Sequence, residues 1–148
     1  MASEDKRLVA VICENDARLA AAMVHNVGDI YGLGIGAVVT SGRAVLSAAE
    51  ALQPDLVVVQ LAVCGTLGLR VIGELHRVAP ACAVVVVTPP EFGGLRLDAV
   101  AAGALSLVVA SDLRPLQCSV ERLMKLHGEE DCPSCVFRAR KIYWQTAQ

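Results

Sequence analysis

The sequence predicts an α/β fold, a doubly wound (βα)5 domain built on a five-stranded parallel sheet. Three observations carry that expectation. First, β-branched runs occur near residues 8–13, 35–40, 55–60, 83–88 and 105–109. Each is continuously apolar, without polar alternation, as strands covered on both faces require. Second, stretches with helical periodicity separate the runs, and such alternation favours parallel pairing through right-handed crossovers. Third, 148 residues that are 55% hydrophobic and 19% charged suit a single well-packed core and argue against disorder.

Taken in order, the first strand LVAVIC leads to a helix with Asp16 as N-cap, whose Leu19, Met23, Val24 and Val27 share one face before Gly28 offers an exit. After the second strand, residues 43–52 place Val45, Leu46, Ala49 and Leu52 on a common face, and Pro54 stops the helix. The third strand ends on Gln60, and the helix that follows carries Leu69, Ile72, Leu75 and Val78 up to Pro80. The fourth strand is AVVVVT, with Pro89 and Pro90 as a rigid exit. A short Ala-rich helix over about 95–102 then meets Gly103, a residue suited to a left-handed cap. The fifth helix, over about 113–126, has Asp112 at its start and turns Leu116, Val120, Leu123, Met124 and Leu126 toward the core. In such a fold, ligands and chemistry belong at the carboxyl ends of the strands.

Composition excludes several function classes. A net charge of −2 lacks the basic footprint of a nucleic-acid binder. The apolar runs stop well short of the ~20 residues that a membrane-spanning helix needs. The opening MASEDKR has no apolar signal core, so the chain is expected in the cytoplasm, without a membrane partner. Cys13, Cys64, Cys82 and Cys118 lie in or beside apolar segments and read as reduced, buried thiols.

The strand ends are the most specific part of the sequence: CEND, VVQLAVCG, VVTPP and VVAS. With PDLVVVQLAVCGTLGLRVIGEL and AAGALSLVVASDLRPL, they resemble the response-regulator receiver family from residue 8 to about residue 127. The resemblance implies a flavodoxin-like, receiver-like fold followed by a C-terminal extension. It also implies a pocket in which an acidic pair binds a divalent metal, an aspartate accepts a phosphoryl group, and a hydroxyl and a lysine complete the site. Glu14 matches the first acid and Thr88 the hydroxyl. Asn15 takes the second acidic position, Gln60 that of the phosphoacceptor and Ala110 that of the lysine.

An acyl phosphate needs a carboxylate nucleophile, which a neutral carboxamide cannot supply. Hard cations need charged oxygen ligands, and two of the three acids are replaced by amides, so the metal site is expected to be weak or absent. A buried ammonium at position 110 would then lack a partner, at a cost of several kcal/mol, and alanine avoids it. Leu107 stands where the family carries an aromatic switch and has no polar tip with which to follow Thr88. Gln60 is therefore expected in a pocket that has lost phosphotransfer, hydrogen-bonded to Thr88 or to backbone; tolerance of a half-exposed strand end is the plainer alternative.

Other motifs point to structure. GLGIG, with Gly32, Gly34 and Gly36, enters a strand after a helix, the reverse of a dinucleotide fingerprint. His25, His76 and His127 have no repeated carboxylate or nucleophile neighbour and read as solvated or packing residues.

Three segments are expected: a tail over 1–7, the receiver-like domain over 8–127 and an extension over 128–148. In the extension, Phe137, Tyr143 and Trp144 lie beside Arg138, Arg140 and Lys141, which suits either packing on the body or a partner-binding segment. Cys132 and Cys135 form one CxxC; a closed zinc site needs four ligands, so zinc, a redox dithiol and unengaged thiols all stay open. No cofactor beyond possible zinc is expected. The reading is a non-enzymatic, phosphorylation-independent receiver-like module that binds proteins. The resemblance implies homodimerisation through its fourth helix, fifth strand and fifth helix; another regulatory protein or a small molecule beside Glu14, Gln60 and Thr88 is a further candidate partner. Alternatives are a metal- or redox-responsive regulator using Cys132 and Cys135, or the receiver part of a transcriptional regulator. Against the latter, the residues after the fifth helix are too few for a helix-turn-helix domain of ordinary size.

Overall fold

Five strands, β1 (Leu8–Cys13), β2 (Leu33–Val39), β3 (Leu56–Gln60), β4 (Ala83–Thr88) and β5 (Ser106–Val109), form one sheet. Each is followed by a helix: α1 (Ala17–Gly28), α2 (Gly42–Leu52), α3 (Arg70–Val78), α4 (Arg96–Ala101) and α5 (Arg114–Gly128). The computed structural model describes residues 8–30 and 32–128. All pairings are parallel and the strand order is β2-β1-β3-β4-β5. The chain therefore winds outward in both directions from the β1/β3 junction, as the sequence predicts.

Successive side chains of a strand point to opposite faces, and the two faces fill differently. Val11, Cys13, Val57, Val59, Val84 and Val86 pack with Val45, Ala49, Val71, Ile72, Leu75 and Ala99 under α2, α3 and α4. On the other face Ala10, Ile12, Leu56, Val58, Val85 and Val87 pack with Met23, Val27, Leu116 and Val120 of α1 and α5. Each fully buried Val or Leu contributes about 1.5–3 kcal/mol relative to exposure. This two-sided burial explains why β1, β3 and β4 read as unbroken apolar runs.

The edge strand departs from expectation. β2 starts two residues earlier than its β-branched run suggests, and its exposure varies along its length. Among the described residues one flank has no neighbouring strand, so two-sided cover is not required. Its register with β1 slips between Ala10 and Val11, which leaves Gly36 unpaired in a bulge. A Cβ on Gly36 would lie 2.7 Å from Val9 Cγ1, so this glycine of GLGIG answers a packing constraint. Leu52, expected in the core, is 44% exposed at the end of α2, where Gln53 adopts a left-handed conformation (φ 46°) and closes the helix.

Caps set the helix starts. Asp16 Oδ1 accepts from the N–H groups of Arg18 and Leu19 at 2.9 and 3.0 Å. Ser41 Oγ, which the sequence reading passes over, accepts from Ala44 N–H at 3.1 Å. Asp112 accepts from Arg114 N–H at 3.2 Å and from its side chain at 2.9 Å; the Arg114 guanidinium holds the exposed Asp112 carboxyl down at about 2. Two 3₁₀ segments, Leu61–Leu67 and Pro90–Leu95, were not anticipated. They occupy the connections after β3 and β4, where glycine, proline and short apolar residues give no periodic signal.

Cys13, Cys64 and Cys82 are buried, but Cys118 is exposed on α5, because the inward stripe of that helix is taken by Leu116 and Val120. His25 is exposed and lies 3.5 Å from Asp29. No helix among the described residues is long and apolar enough to cross a membrane. The tail over 1–7, Cys132, Cys135, Phe137, Arg138, Arg140, Tyr143 and Trp144 lie outside the described residues, as do the side chains of Met124, Leu126 and His127.

Gly103 follows α4 at φ +115°, and a Cβ there would meet the His76 ring at 2.8 Å. Backbone strain and the clash act together, so Gly103→Ala is expected to lower unfolding stability by about 1–3 kcal/mol. Urea unfolding of the two proteins measures the difference; equal midpoints would contradict this account of the α4–β5 turn.

Candidate functional site

The carboxyl ends of β1, β3 and β4 lie side by side. Cys13 pairs with Val59 and Gln60 with Val87, so Glu14, Gln60 and Thr88 cap three adjacent strands. All three are buried, at 3%, 5% and 0% exposure, and they are the only buried polar or charged side chains among the described residues. The half-exposed strand end considered for Gln60 is therefore not what the structure shows.

Gln60 has a local task. Its Oε1 accepts from Ala62 N–H at 3.2 Å, so the side chain caps the 3₁₀ segment Leu61–Leu67. Its own carbonyl accepts from Cys64 Sγ at 3.7 Å. Of the two partners expected for Gln60, backbone is the one observed. Thr88 Oγ1 is buried and has no hydrogen-bond partner among the described residues, while its carbonyl accepts from Ala110 N–H at 2.7 Å. An unpaired buried hydroxyl costs about 1–3 kcal/mol.

Glu14 is divided in the same way. Oε2 accepts from Asp16 N–H at 2.9 Å, whereas Oε1 is buried with no partner among the described residues. None of the three ion pairs among the described residues includes it. Asn15 is exposed and Ala110 half-buried. Leu107 is 1% exposed within the α2–α4 side of the core, and its carbonyl accepts from Arg96 Nη1 at 2.9 Å. Leu107 thus anchors β5 and holds α4, with no polar group facing Thr88.

This donor set does not fit a divalent cation. One Glu14 oxygen is engaged with backbone, Gln60 Oε1 is engaged with Ala62, and Asn15 faces solvent. No group of three or more His, Cys, Asp or Glu among the described residues could hold a metal ion. At the end of β3, Gln60 offers a neutral amide already hydrogen-bonded to Ala62 N–H, and an amide does not form an acyl phosphate.

One pair of side chains at this end escaped the sequence reading. Cys13 and Cys64 lie in the same buried core cluster. The neighbouring Cys64 side chain, then burial, pushes the Cys13 thiol far above its ordinary range, and Cys13 draws Cys64 down against its own burial. Cys13 Sγ also approaches the Ser41 carbonyl at 3.5 Å. The only sequence signal is a cysteine ending β1 and another four residues past the end of β3; nothing in that spacing requires contact.

No protein-family model matches the sequence, and no curated protein matches it significantly. Solved structures do match. The response regulator domain of Thermotoga maritima CheB is 16% identical, with 80% of this chain and 92% of that chain covered and a TM-score of 0.65. The receiver domain of AraT, a response regulator from Geobacillus stearothermophilus, is 15% identical over 80% and 95% of the two chains, with a TM-score of 0.68. A DNA-binding response regulator of the LuxR family from Staphylococcus aureus is 22% identical over 78% and 97%, with a TM-score of 0.68. The fold is that of receiver domains.

The two buried polar groups beside Glu14 should respond oppositely to substitution. Thr88→Val removes a hydroxyl without a partner and is expected to raise stability by about 1 kcal/mol. Gln60→Leu strips the cap from Ala62 N–H and is expected to cost about 1–2 kcal/mol. Thermal and urea unfolding of both variants provide the check, and a destabilised Thr88→Val would reveal a partner for that hydroxyl.

Proposed function

We propose that this chain is a phosphorylation-independent receiver-like domain, a non-enzymatic regulatory module that works by binding other proteins and by pairing with a second copy of itself. The observation that carries the reading is Gln60: at the strand end where the fold's phosphoacceptor stands, the side chain is a buried amide committed to capping the next turn. Its surroundings support the same reading. Asn15 faces solvent, Ala110 brings no charge, and Leu107 is locked into the core.

The surface proposed for pairing is that of α4, β5 and α5, as the family resemblance implies. Phe92, just before α4, is 49% exposed and Leu97, on α4, is 81% exposed; two large apolar side chains at the surface of one short stretch supply the kind of anchor that interfaces use. Arg96 ties α4 to β5 through the Leu107 carbonyl, so the surface is held by a fixed element. Control of such a module comes from its partners or its chemistry and not from an acyl phosphate.

Two measurements test the proposal. Incubation with acetyl phosphate and Mg²⁺ should leave the intact mass unchanged; stoichiometric addition of a phosphoryl group would overturn phosphorylation independence. Sedimentation equilibrium should show a dimer that Leu97→Asp weakens at least about tenfold, the effect of about 1.4 kcal/mol at one anchor. A monomer at every concentration would remove the pairing half of the proposal and leave the heterologous half.

A further inference from the structure

The stretch from Glu91 to Asp98 leaves apolar and acidic groups unmatched among the described residues. Phe92 and Leu97 are exposed, and each has an exposed acid beside it in the chain, Glu91 and Asp98. Neither acid belongs to any of the three ion pairs among the described residues. The one cation of the stretch, Arg96, is taken by the Leu107 carbonyl at 2.9 Å. The stretch is also fixed in place, since a Cβ on Gly93, next to Phe92, would lie 3.6 Å from Val109 Cγ2 at the end of β5. Apolar side chains with acidic neighbours, held against an edge strand, suit an occupant that sets aromatic side chains beside basic ones.

Residues 136–148 have that composition: Phe137, Tyr143 and Trp144 stand with Arg138, Arg140 and Lys141, and there is no acid. Distance permits the match within one chain. Ser119 of α5 lies beside Ser106 at the start of β5, with 3.3 Å between their hydroxyls, and the helix runs on from there to Gly128, about 14 Å. Arg96, at the start of α4, is tied to Leu107, the residue after Ser106. From Gly128, an extended chain reaches about 30 Å by Phe137 and about 50 Å by Trp144. The segment can therefore double back along α5, pass the flank of β5 and set an aromatic on α4. Tethering then decides the occupant, because a segment joined to its own docking surface meets it at a roughly millimolar effective concentration. A second copy is present only at the concentration of the protein.

We propose that residues 136–148 dock on the surface of Phe92 and Leu97 in their own chain, with the aromatics on those side chains and the basic residues against Glu91 and Asp98. The docked segment covers the surface by which two copies pair, a consequence that rests on the pairing proposed above. It is thereby a built-in competitor of the second copy, and the pairing surface opens only when the segment leaves it.

Trp144 is the only tryptophan of the chain and reports docking directly. In the full-length protein, diluted until sedimentation shows monomer, its emission should be blue-shifted and shielded from acrylamide, with both signals independent of protein concentration. Leu97 is 81% exposed, so Leu97→Asp leaves the core intact; it should lower the docking equilibrium at least about tenfold and expose Trp144. Glu91→Lys with Asp98→Lys should also expose it, and Arg138→Glu with Arg140→Glu in that background should restore the shielding, which a folding defect would not allow. Where the dimer forms, Trp144→Ala should tighten it several-fold; an unchanged dimer constant would remove the competition. Trp144 as accessible in the monomer as in urea would overturn the docking. So would shielding that appears only as the dimer forms, or shielding indifferent to Leu97 and to the charge exchange. A chain that is monomeric at every concentration with Trp144 shielded supports the docking and contradicts the pairing alone.

Discussion

Burial of β3 on both faces is the constraint on which the rest of this molecule depends. Every residue from Leu56 to Gln60 is buried, flanked by β1 and β4 and covered above and below by helices. A strand in that position can carry only apolar side chains until it emerges, and the first polar group at its end must find a partner locally, since burial without one costs about 1–3 kcal/mol. Gln60 meets that demand by turning its amide onto Ala62 N–H. Glu14 meets it with one oxygen, and Thr88 Oγ1 does not. The strand ends are thus a small polar island in an apolar structure, with its hydrogen bonds only partly complete.

What the sequence made legible follows from the same constraint. Valine runs with no alternation can only be strands covered twice, so β1, β3 and β4 and the doubly wound order were readable from residues alone. Asp16 as a cap and Gly103 as a turn residue were readable because each answers a local backbone requirement. The misses were of another kind. Leu52 and Cys118 satisfy helical periodicity or apolar surroundings on paper, yet the face that each occupies depends on which neighbours reach the core first. The absence of alternation was expected of β2 as well, but an edge position relaxes it, and position in a sheet is not written in any one strand.

The site was legible in identity but not in geometry. Matching the strand ends to a known pattern picked out Gln60, Asn15, Ala110 and Leu107; it could not show that Gln60 would become a backbone cap or that Leu107 would hold α4 through its carbonyl. The meeting of Cys13 and Cys64 in one buried cluster was invisible for a stronger reason. It joins a strand to a loop through the start of α2, and such a meeting of three segments is set by tertiary packing alone.

The bulge at Gly36 bears on how the chain behaves in company. LGIGAVV carries no charge and lies at an open sheet edge, the combination by which one molecule templates another into extended aggregates. An extra residue in the ladder bends that edge and puts its hydrogen-bonding groups out of step with a straight strand. The same small residue that accommodates Val9 therefore also works against edge-to-edge pairing of one copy with another.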